Sequence, residues 1–426
     1  MNVIRRARVL AMLAGLVPGA AHAAGYGIYE QGAAALGMAG AYVASAHDAT
    51  AQFYNPAAMV RLEGKQLSVG GTWLTTRTSF AGEDPYPGFG VTEEMESGNF
   101  FPPTVYWTHR LRPDLAYGVG VNAPFGLGIE WKDPANFTGR DRVTKADLRT
   151  IDASGNLAWA ANETFSVAAG VNARYAKVEL HQIGTLVTSG GQPVNILDVA
   201  LKSDYTPGFG YHAALLAAAK QDWKFGLVYR SEVTVKVDNG DATFTQIPTG
   251  DPLLDATVAA QVPPSQGVAT ELVFPASLSA GLAWTGASGW TGEVDLVWTQ
   301  WSAFEKLPLT FDQSPALNTA IIENYDDQFA IRVGAEHRLP TWTYRFGYYF
   351  DSAAAPSESV TPLLPDANRH GVTLGVGTTR GPWTADLYNL FVFVEKRSTE
   401  GVERDGYDGT YKSYVNALGV NLAYHW

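Results

Sequence analysis

The chain has 426 residues, of which 17% are charged and 12% aromatic, and it contains 44 glycines. Soluble domains usually carry about 25% charged residues and about 7% glycine, so this chain is short of solvating charge and rich in glycine and rings. Its net charge of −12 excludes a general nucleic-acid binder, which needs clustered Lys and Arg for phosphate contacts. The absence of cysteine excludes disulfides, thiolate metal sites and a cysteine nucleophile.

Residues 1–23 read as a secretory signal peptide. Arg5, Arg6 and Arg8 form a basic head, Val9 to Val17 an apolar stretch, and Ala21-His22-Ala23 a small-x-small cleavage site. The apolar stretch is too short for a membrane-crossing helix, which needs about 20 residues. Cleavage removes the three arginines and makes the mature chain more acidic. No later segment is apolar for long enough to cross a bilayer as a helix, which excludes a helical membrane protein. Residues 24–64 follow. They are rich in Ala and Gly and lack sustained alternation.

From residue 65 onward the hydrophobic period is two. Phe165, Val167, Ala169, Val171, Ala173 and Tyr175 oppose Ser166, Gly170, Asn172 and Arg174. Trp223, Phe225, Leu227 and Tyr229 oppose Lys224, Gly226, Val228 and Arg230. Phe329, Ile331 and Val333 oppose Arg332, Gly334 and Glu336. Trp342, Tyr344, Phe346, Tyr348 and Phe350 form a wholly aromatic face opposite Arg345 and Gly347. Rings cluster at the ends of these runs, where the aromatic girdles of a membrane barrel lie. The final run, Leu418, Val420, Leu422, Tyr424 and Trp426, ends the chain on a ring. It resembles the C-terminal signal by which the barrel assembly machinery recognises its clients.

Tight connections at 112–114, 161–164, 221–222, 286–289, 339–341 and 379–382 alternate with long ones near 81–101, 126–145, 183–204, 238–267, 305–327, 352–368 and 398–409. Six short turns and seven long loops join fourteen strands. The fold expected is an all-β, 14-stranded antiparallel transmembrane β-barrel over 65–426, in the outer membrane after signal cleavage. Such a lumen is wide enough to leak. Residues 24–64 are therefore expected to form a plug, or hatch, inside it; a periplasmic extension is the alternative.

The outer loops carry apolar residues that water-facing loops avoid. Val194, Ile196, Leu197, Val199 and Leu201 lie in one. Leu253, Leu254, Val258 and Val262 lie in another, where Asp251-Pro252 starts a helix. A groove between these loops would bind a hydrocarbon chain, at about 0.8 kcal/mol per buried methylene; mutual packing as a lid is the other reading. The third strand runs into Asn122-Ala123-Pro124-Phe125-Gly126. Pro cannot donate to a ladder and Gly permits a kink, so either pairing is interrupted here or the strand ends. The inward parity carries both signs of charge, which predicts ion-pair networks holding the plug. Arg174, Arg332 and Arg345 are the candidates for a ligand carboxylate, because the guanidinium fork matches that group. His-Glu-x-x-His, Gly-x-Ser-x-Gly and a phosphate-binding glycine loop are all missing, and the histidines are scattered, so neither an enzyme, a metal site nor a cofactor is expected. Asp238-Asn239-Gly240-Asp241 lacks the rest of a calcium loop and reads as a turn.

Several motifs resemble the FadL-type outer-membrane transporters of long-chain fatty acids, a family that includes TodX-like hydrocarbon importers. They are Gly37-Met38-Ala39-Gly40-Ala41, Asp48-Ala49, Asn55-Pro56-Ala57-Ala58-Met59, Pro124-Phe125-Gly126-Leu127-Gly128, Phe274-Pro275-Ala276-Ser277-Leu278, Asp295 to Ser302 and Arg345-Phe346-Gly347-Tyr348-Tyr349, spread in the family's order over nearly the whole mature chain. The resemblance implies passive, ligand-gated uptake of a hydrophobic small molecule. It implies capture at the outer loops and release into outer-membrane lipid through a lateral opening bordered by Asn122, Pro124, Phe125 and Gly126. It also implies a hatch element at Asn55, Pro56 and Ala57. Fatty acids are the expected ligands; aromatic hydrocarbons, or a surface adhesion role without transport, are the alternatives.

Overall fold

A strand exposed to hydrocarbon must pair every backbone group, because no water is available to do so. In the computed structural model, which describes residues 25–187, 193–219 and 222–426, that requirement is met by closure. The strands in chain order are β1 (Lys65–Gly82), β2 (Pro103–Arg112), β3 (Leu115–Asn122, resuming as Gly126–Glu130), β4 (Lys145–Ala160), β5 (Phe165–Val187), β6 (Pro193–Lys202 and Thr206–Ala219), β7 (Trp223–Arg230 and Val233–Gln246), β8 (Ser265–Phe274 and Ser277–Thr285), β9 (Trp290–Thr299), β10 (Gln328–Arg338), β11 (Trp342–Asp351), β12 (Arg369–Arg380), β13 (Trp383–Val394) and β14 (Gly409–His425). Each pairs antiparallel with the next, and β14 returns to β1 from Gly409↔Gly82 to His425↔Gln66. The last residue completes the seam: Lys65 N donates to Trp426 O at 2.8 Å and Trp426 N to Lys65 O at 3.0 Å.

Alternation sorts side chains as expected. Trp342, Tyr344, Phe346 and Tyr348 of β11 are exposed on the outer face, whereas Arg345, Tyr349 and Asp351 are buried inside. Leu418, Val420 and Leu422 face out, opposite buried Asn421 and Ala423. An apolar belt on every strand is far larger than a water-facing surface tolerates.

The connections hold more strand than expected: Thr92–Glu94 and Gly98–Phe100 lie within 81–101, Lys306–Phe311 and Thr319–Ile322 within 305–327, and three further places differ. The described residues of 183–204 pair as strands and do not form an open loop. β5 runs on to Val187, and its upper part pairs with Pro193–Lys202. The β-branched residues that looked like an apolar loop patch here continue a sheet that stands above the membrane, since a spanning strand needs only about 9–11 residues. Likewise β7 extends to Gln246 and runs through Asp238-Asn239-Gly240-Asp241, which form a bulged strand with a register shift between Val237 and Gly240 and not the expected turn. The third is β3, which continues past its break. Beyond β7 stands helix α1 (Pro252–Gln261), capped as the sequence predicts: the Asp251 carboxylate accepts from Leu253 N and Leu254 N, and Pro252 opens the first turn. Residues 1–24, and with them the signal peptide, lie outside the described residues.

Residues 32–60 are almost wholly buried inside the barrel. They contain two short helical turns, Ala33–Gly37 and Ala51–Tyr54, and a 3-10 turn, Pro56–Arg61. So little regular structure leaves many backbone groups to be satisfied from the wall. Glu293 and Asp295 of β9 do this. Asp295 Oδ2 accepts from Tyr42 N at 2.8 Å and Val43 N at 3.1 Å; Glu293 accepts from Ala44 N at 2.5 Å and Ser45 N at 2.9 Å. Ion pairs were expected of the inward charges; these two carboxylates accept from the backbone amides of residues 42–45 instead. Asn55 caps the 3-10 turn through Ala57 N and ties it to Val43 O and Leu215 O, while Ser166 Oγ donates to Ala57 O. Gly334 and Gly347 let the Met38 backbone approach: a Cβ on either would come within 2.6 Å of it.

A charge-assisted hydrogen bond contributes about 1.5–3 kcal/mol. Replacing Glu293 and Asp295 together by Ala should therefore loosen residues 42–45 while leaving the barrel closed. The expected readout is faster hydrogen exchange of those amides and higher single-channel conductance, with unchanged heat-modifiable migration on gels.

Candidate functional site

The wall is incomplete at one place. β3 pairs with β4 up to Asn122↔Asp152 and again from Gly126↔Arg149, so Ala123, Pro124 and Phe125 face only Thr150 and Ile151. On its other side β3 pairs with β2 only as far as Val121↔Val105, and Gly126–Glu130 has no β2 partner. Pro124 contributes no donor. The Thr150 hydroxyl accepts from Phe125 N at 3.1 Å and donates to Phe125 O at 2.6 Å, which satisfies the bulged backbone. The strand is thus interrupted rather than ended.

The edge left open by β2 is filled from the chain's N-terminal side. Ile28 N donates to Pro124 O at 2.8 Å, Gly126 N donates to Tyr26 O at 3.0 Å, and Gly27 bridges Phe125. Gln31 Nε2 adds a bond to Ala123 O at 2.8 Å. Residues 26–28 are in effect a short extra strand. The Tyr26 ring sits among Phe125, Phe274, Trp301 and Phe304 at centroid distances of 6.0, 6.2, 4.7 and 5.5 Å. Gly25 lies against Trp301 so closely that a Cβ would stand 2.6 Å from its ring.

Behind the interruption lies a lumenal cavity of about 140 Å³. Asn122, Pro124 and Phe125 line it together with Ile28, Phe53, Pro275, Val297 and Trp301 on its apolar side and Asn172, Ser231, Ser277 and Ser279 on its polar side. Arg174 and Arg332 line it as well. Arg174 is held bidentate by Asp152, both contacts 2.8 Å, with its guanidinium carbon 4.5 Å from the Phe125 centroid. Arg332 pairs with Asp351 at 3.0 Å, donates to Ala39 O at 3.0 Å, and stacks on Tyr29 at 4.0 Å. Arg345 is not at the cavity. It bridges Glu336 and Asp386, both at 2.7 Å, against Gly37. The structure therefore brings together two of the three arginines with three of the four wall residues; the fourth, Gly126, packs on Ile28 just beside them.

The nine outer apolar residues do not line the cavity. Val199 and Leu201 are buried in the same continuous apolar cluster as Tyr26, Phe274, Trp301 and Phe304, with Leu197 and Val262 packed against it. Val258 is the buried residue of α1, Leu254 is half-buried, and Leu253 is 79% exposed. Val194 and Ile196 are partly exposed on the β6 hairpin, and Ile196 O accepts from Ile247 N at 2.9 Å, joining the hairpin to the segment that leads into α1. Sequence reasoning missed Tyr26, Thr150 and Arg230. Nothing local marks Tyr26 or Thr150; Arg230 shows the inward parity but not what it faces.

A family model described as "Outer membrane protein transport protein (OMPP1/FadL/TodX)" matches residues 14–426. The chain belongs to this family. It is an outer-membrane β-barrel protein, and its relatives agree in extent. A "Long-chain fatty acid transport protein" of Escherichia coli O6:H1 is 24% identical over 86% of both chains, and "Outer membrane protein P1" of Haemophilus influenzae is 26% identical over 96% of both. Among solved structures, a Pseudomonas aeruginosa FadL homologue superposes with a TM-score of 0.81 at 20% identity, covering 94% of this chain and 100% of the other. The P. putida toluene transporter TodX gives 0.72 at 15% identity, covering 94% and 99%. These superpositions share the barrel fold with this family member.

One ionisable group borders the aromatic cluster from the outer loops. Glu323, 1% exposed, lies beside Tyr325, which packs on Trp301 and Phe304. Burial raises its carboxyl from the ordinary 4.5 to about 8, with the Asp366 charge adding to the rise and Tyr325 and Arg404 opposing it. The folded state then binds a proton that the unfolded chain releases, so this contribution to stability is complete below about 4.5 and is lost as pH rises toward 8. Denaturant unfolding of the 305–327 loop, followed by proteolysis, should show falling protection across that interval. Glu323→Gln should flatten the dependence.

Proposed function

We propose that this family member carries long-chain fatty acids, or similar hydrophobic molecules, passively into the outer membrane. The observation that carries the reading is the conjunction of a half-apolar lumenal cavity with an interrupted strand at the same height of the wall. An apolar ligand in such a cavity gains about 25 cal/mol per Å² of buried apolar surface. It can leave sideways into lipid without crossing an aqueous pore. An adhesin has no use for either feature, and a lumen filled by buried backbone should refuse the polar solutes of a general porin. The name of the E. coli relative supports the same ligand class.

In this reading capture begins at the outer apolar residues, with Leu253, Leu254, Val194 and Ile196 available to a hydrocarbon chain and Leu197, Val199, Leu201, Val258 and Val262 forming the floor beneath them. The ligand then enters the cavity. Asn122, Pro124, Phe125 and Gly126 border its exit, and Asn55, Pro56 and Ala57 belong to the segment that shifts as it passes. Seating of residues 26–28 on Pro124 and Gly126 supports this order, because ligand must displace them to reach lipid.

The test is uptake of labelled oleate and labelled toluene by a Gram-negative host lacking its own transporter, with and without this chain. Chain-dependent oleate uptake is the expected outcome. Uptake of toluene alone would make the protein a hydrocarbon importer. Uptake of neither, with the barrel in the outer membrane, would favour surface adhesion. A second experiment addresses the route. Pro124→Val with Gly126→Val restores a ladder-competent strand and crowds Ile28, whose Cδ1 lies 2.9 Å from a Cβ built at Gly126. It should cut uptake at least tenfold while leaving binding to the outer loops intact; normal uptake would remove the lateral route.

A further inference from the structure

Two routes of contact run from the outer loops to residues 25–28, the segment seated on the open edge of β3. The first is a stack of rings. Tyr325 of the 305–327 loop packs on Trp301 and Phe304 at centroid distances of 6.2 and 5.4 Å, and Tyr26 packs on the same two rings at 4.7 and 5.5 Å. The second route is polar. The Asp366 carboxylate accepts from Ala354 N at 2.8 Å, Ala355 N at 3.1 Å and Arg369 Nη2 at 3.3 Å. That same arginine nitrogen donates to Gly25 O at 3.0 Å. Asp326 N donates to Ala354 O at 2.8 Å, which joins the 305–327 loop to the 352–368 loop.

Glu323 borders both routes. Its side chain is buried, Oε2 has no hydrogen-bond partner, and the residue makes no ion pair among the described residues. The ionisable groups that face it are Tyr325 from its own loop, Asp366 from 352–368, Arg404 from 398–409 and Tyr26 from the N-terminal segment. Arg404 is turned away to Ile322 O at 2.6 Å and Ser359 Oγ at 2.9 Å. Asp366 already carries the amides and the arginine that suit a carboxylate, and it repels a second one. A carboxyl so placed is held as the neutral acid. Once ionised it is an unpaired buried charge, and the segment must shift to hydrate it. Tyr325 is two residues along the same segment, so that shift draws its ring off Trp301.

We propose that Glu323 is a proton-controlled pin: while protonated it lets the 305–327 loop press Tyr325 on Trp301 and Phe304, which with Arg369 keeps residues 25–28 seated on β3, and its ionisation loosens loop and segment together. The assignment concerns how the wall interruption is covered and stands whichever ligand the barrel carries.

The test is hydrogen exchange of the purified full-length barrel at about pH 6 and about pH 8, with each amide rate divided by its intrinsic rate at that pH. In wild type the corrected rates of 305–327 and of 25–31 should rise together by roughly tenfold or more, as linkage requires of a carboxyl lifted from 4.5 to about 8 on folding. Amides of the β1–β14 seam should not respond. Glu323→Gln, neutral at both pH values and shown to be folded by heat-modifiable migration, should keep both segments slow throughout. Arg369→Met removes the polar route; it should preserve the response of 305–327 and shrink that of 25–31. A wild-type response confined to 305–327 overturns the link, and so does a response of 25–31 that persists in Glu323→Gln.

Discussion

The structure depends on one constraint: inside a membrane barrel, every backbone donor must find an acceptor. The wall satisfies itself by closing β14 onto β1. The material filling the lumen cannot, because residues 32–60 have only a few helical turns of their own. Their amides are met by side chains projecting from the wall, and this explains why carboxylates point into a lumen that salt bridges alone would not require. Glu293 and Asp295 take four amides between them, Arg332 takes a carbonyl, and Asn55 caps its own turn while bonding to Val43 and to Leu215 of β6. Where the backbone itself must approach the wall, glycine replaces the side chain, as at Gly334 and Gly347.

The same accounting locates the interruption in the wall. At Ala123 to Phe125 the ladder fails, and three substitutes appear: a hydroxyl from Thr150, an amide from Gln31, and the short strand 26–28. None is part of the barrel's own hydrogen-bond pattern. The interruption is supported by groups that differ in how easily they are withdrawn. Thr150 is fixed within β4, whereas residues 26–28 are held chiefly by two backbone bonds and by the packing of Tyr26 among rings.

Much of this was legible in the sequence because period-two alternation and a bilayer's thickness act residue by residue. The aromatic parity of β11, the terminal Trp426 and the short turns followed from local pattern, and Pro124 with Gly126 announced the break. What was not legible depends on which strand lies opposite which. The apolar residues of 183–204 have the same composition whether they form a loop patch or the inner face of a hairpin; only the pairing of β5 with β6 decides. The inward arginines look alike from parity. Arg174, Arg332 and Arg345 have carboxylate partners supplied by other strands, whereas Arg230 has none among the described residues and stacks on the Phe53 ring, a distinction created by register and depth. Glu293 and Asp295 likewise read as members of an ion-pair network until the plug's amides are seen above them.

The short strand 26–28 has a mechanical consequence. Together with the Gln31 amide it covers one edge of the β3 interruption, and it also carries the ring that packs on Trp301. The two backbone bonds and the ring packing thus belong to three consecutive residues, so any displacement of this piece of chain would free a carbonyl and an amide at the wall and uncover the Trp301 face together.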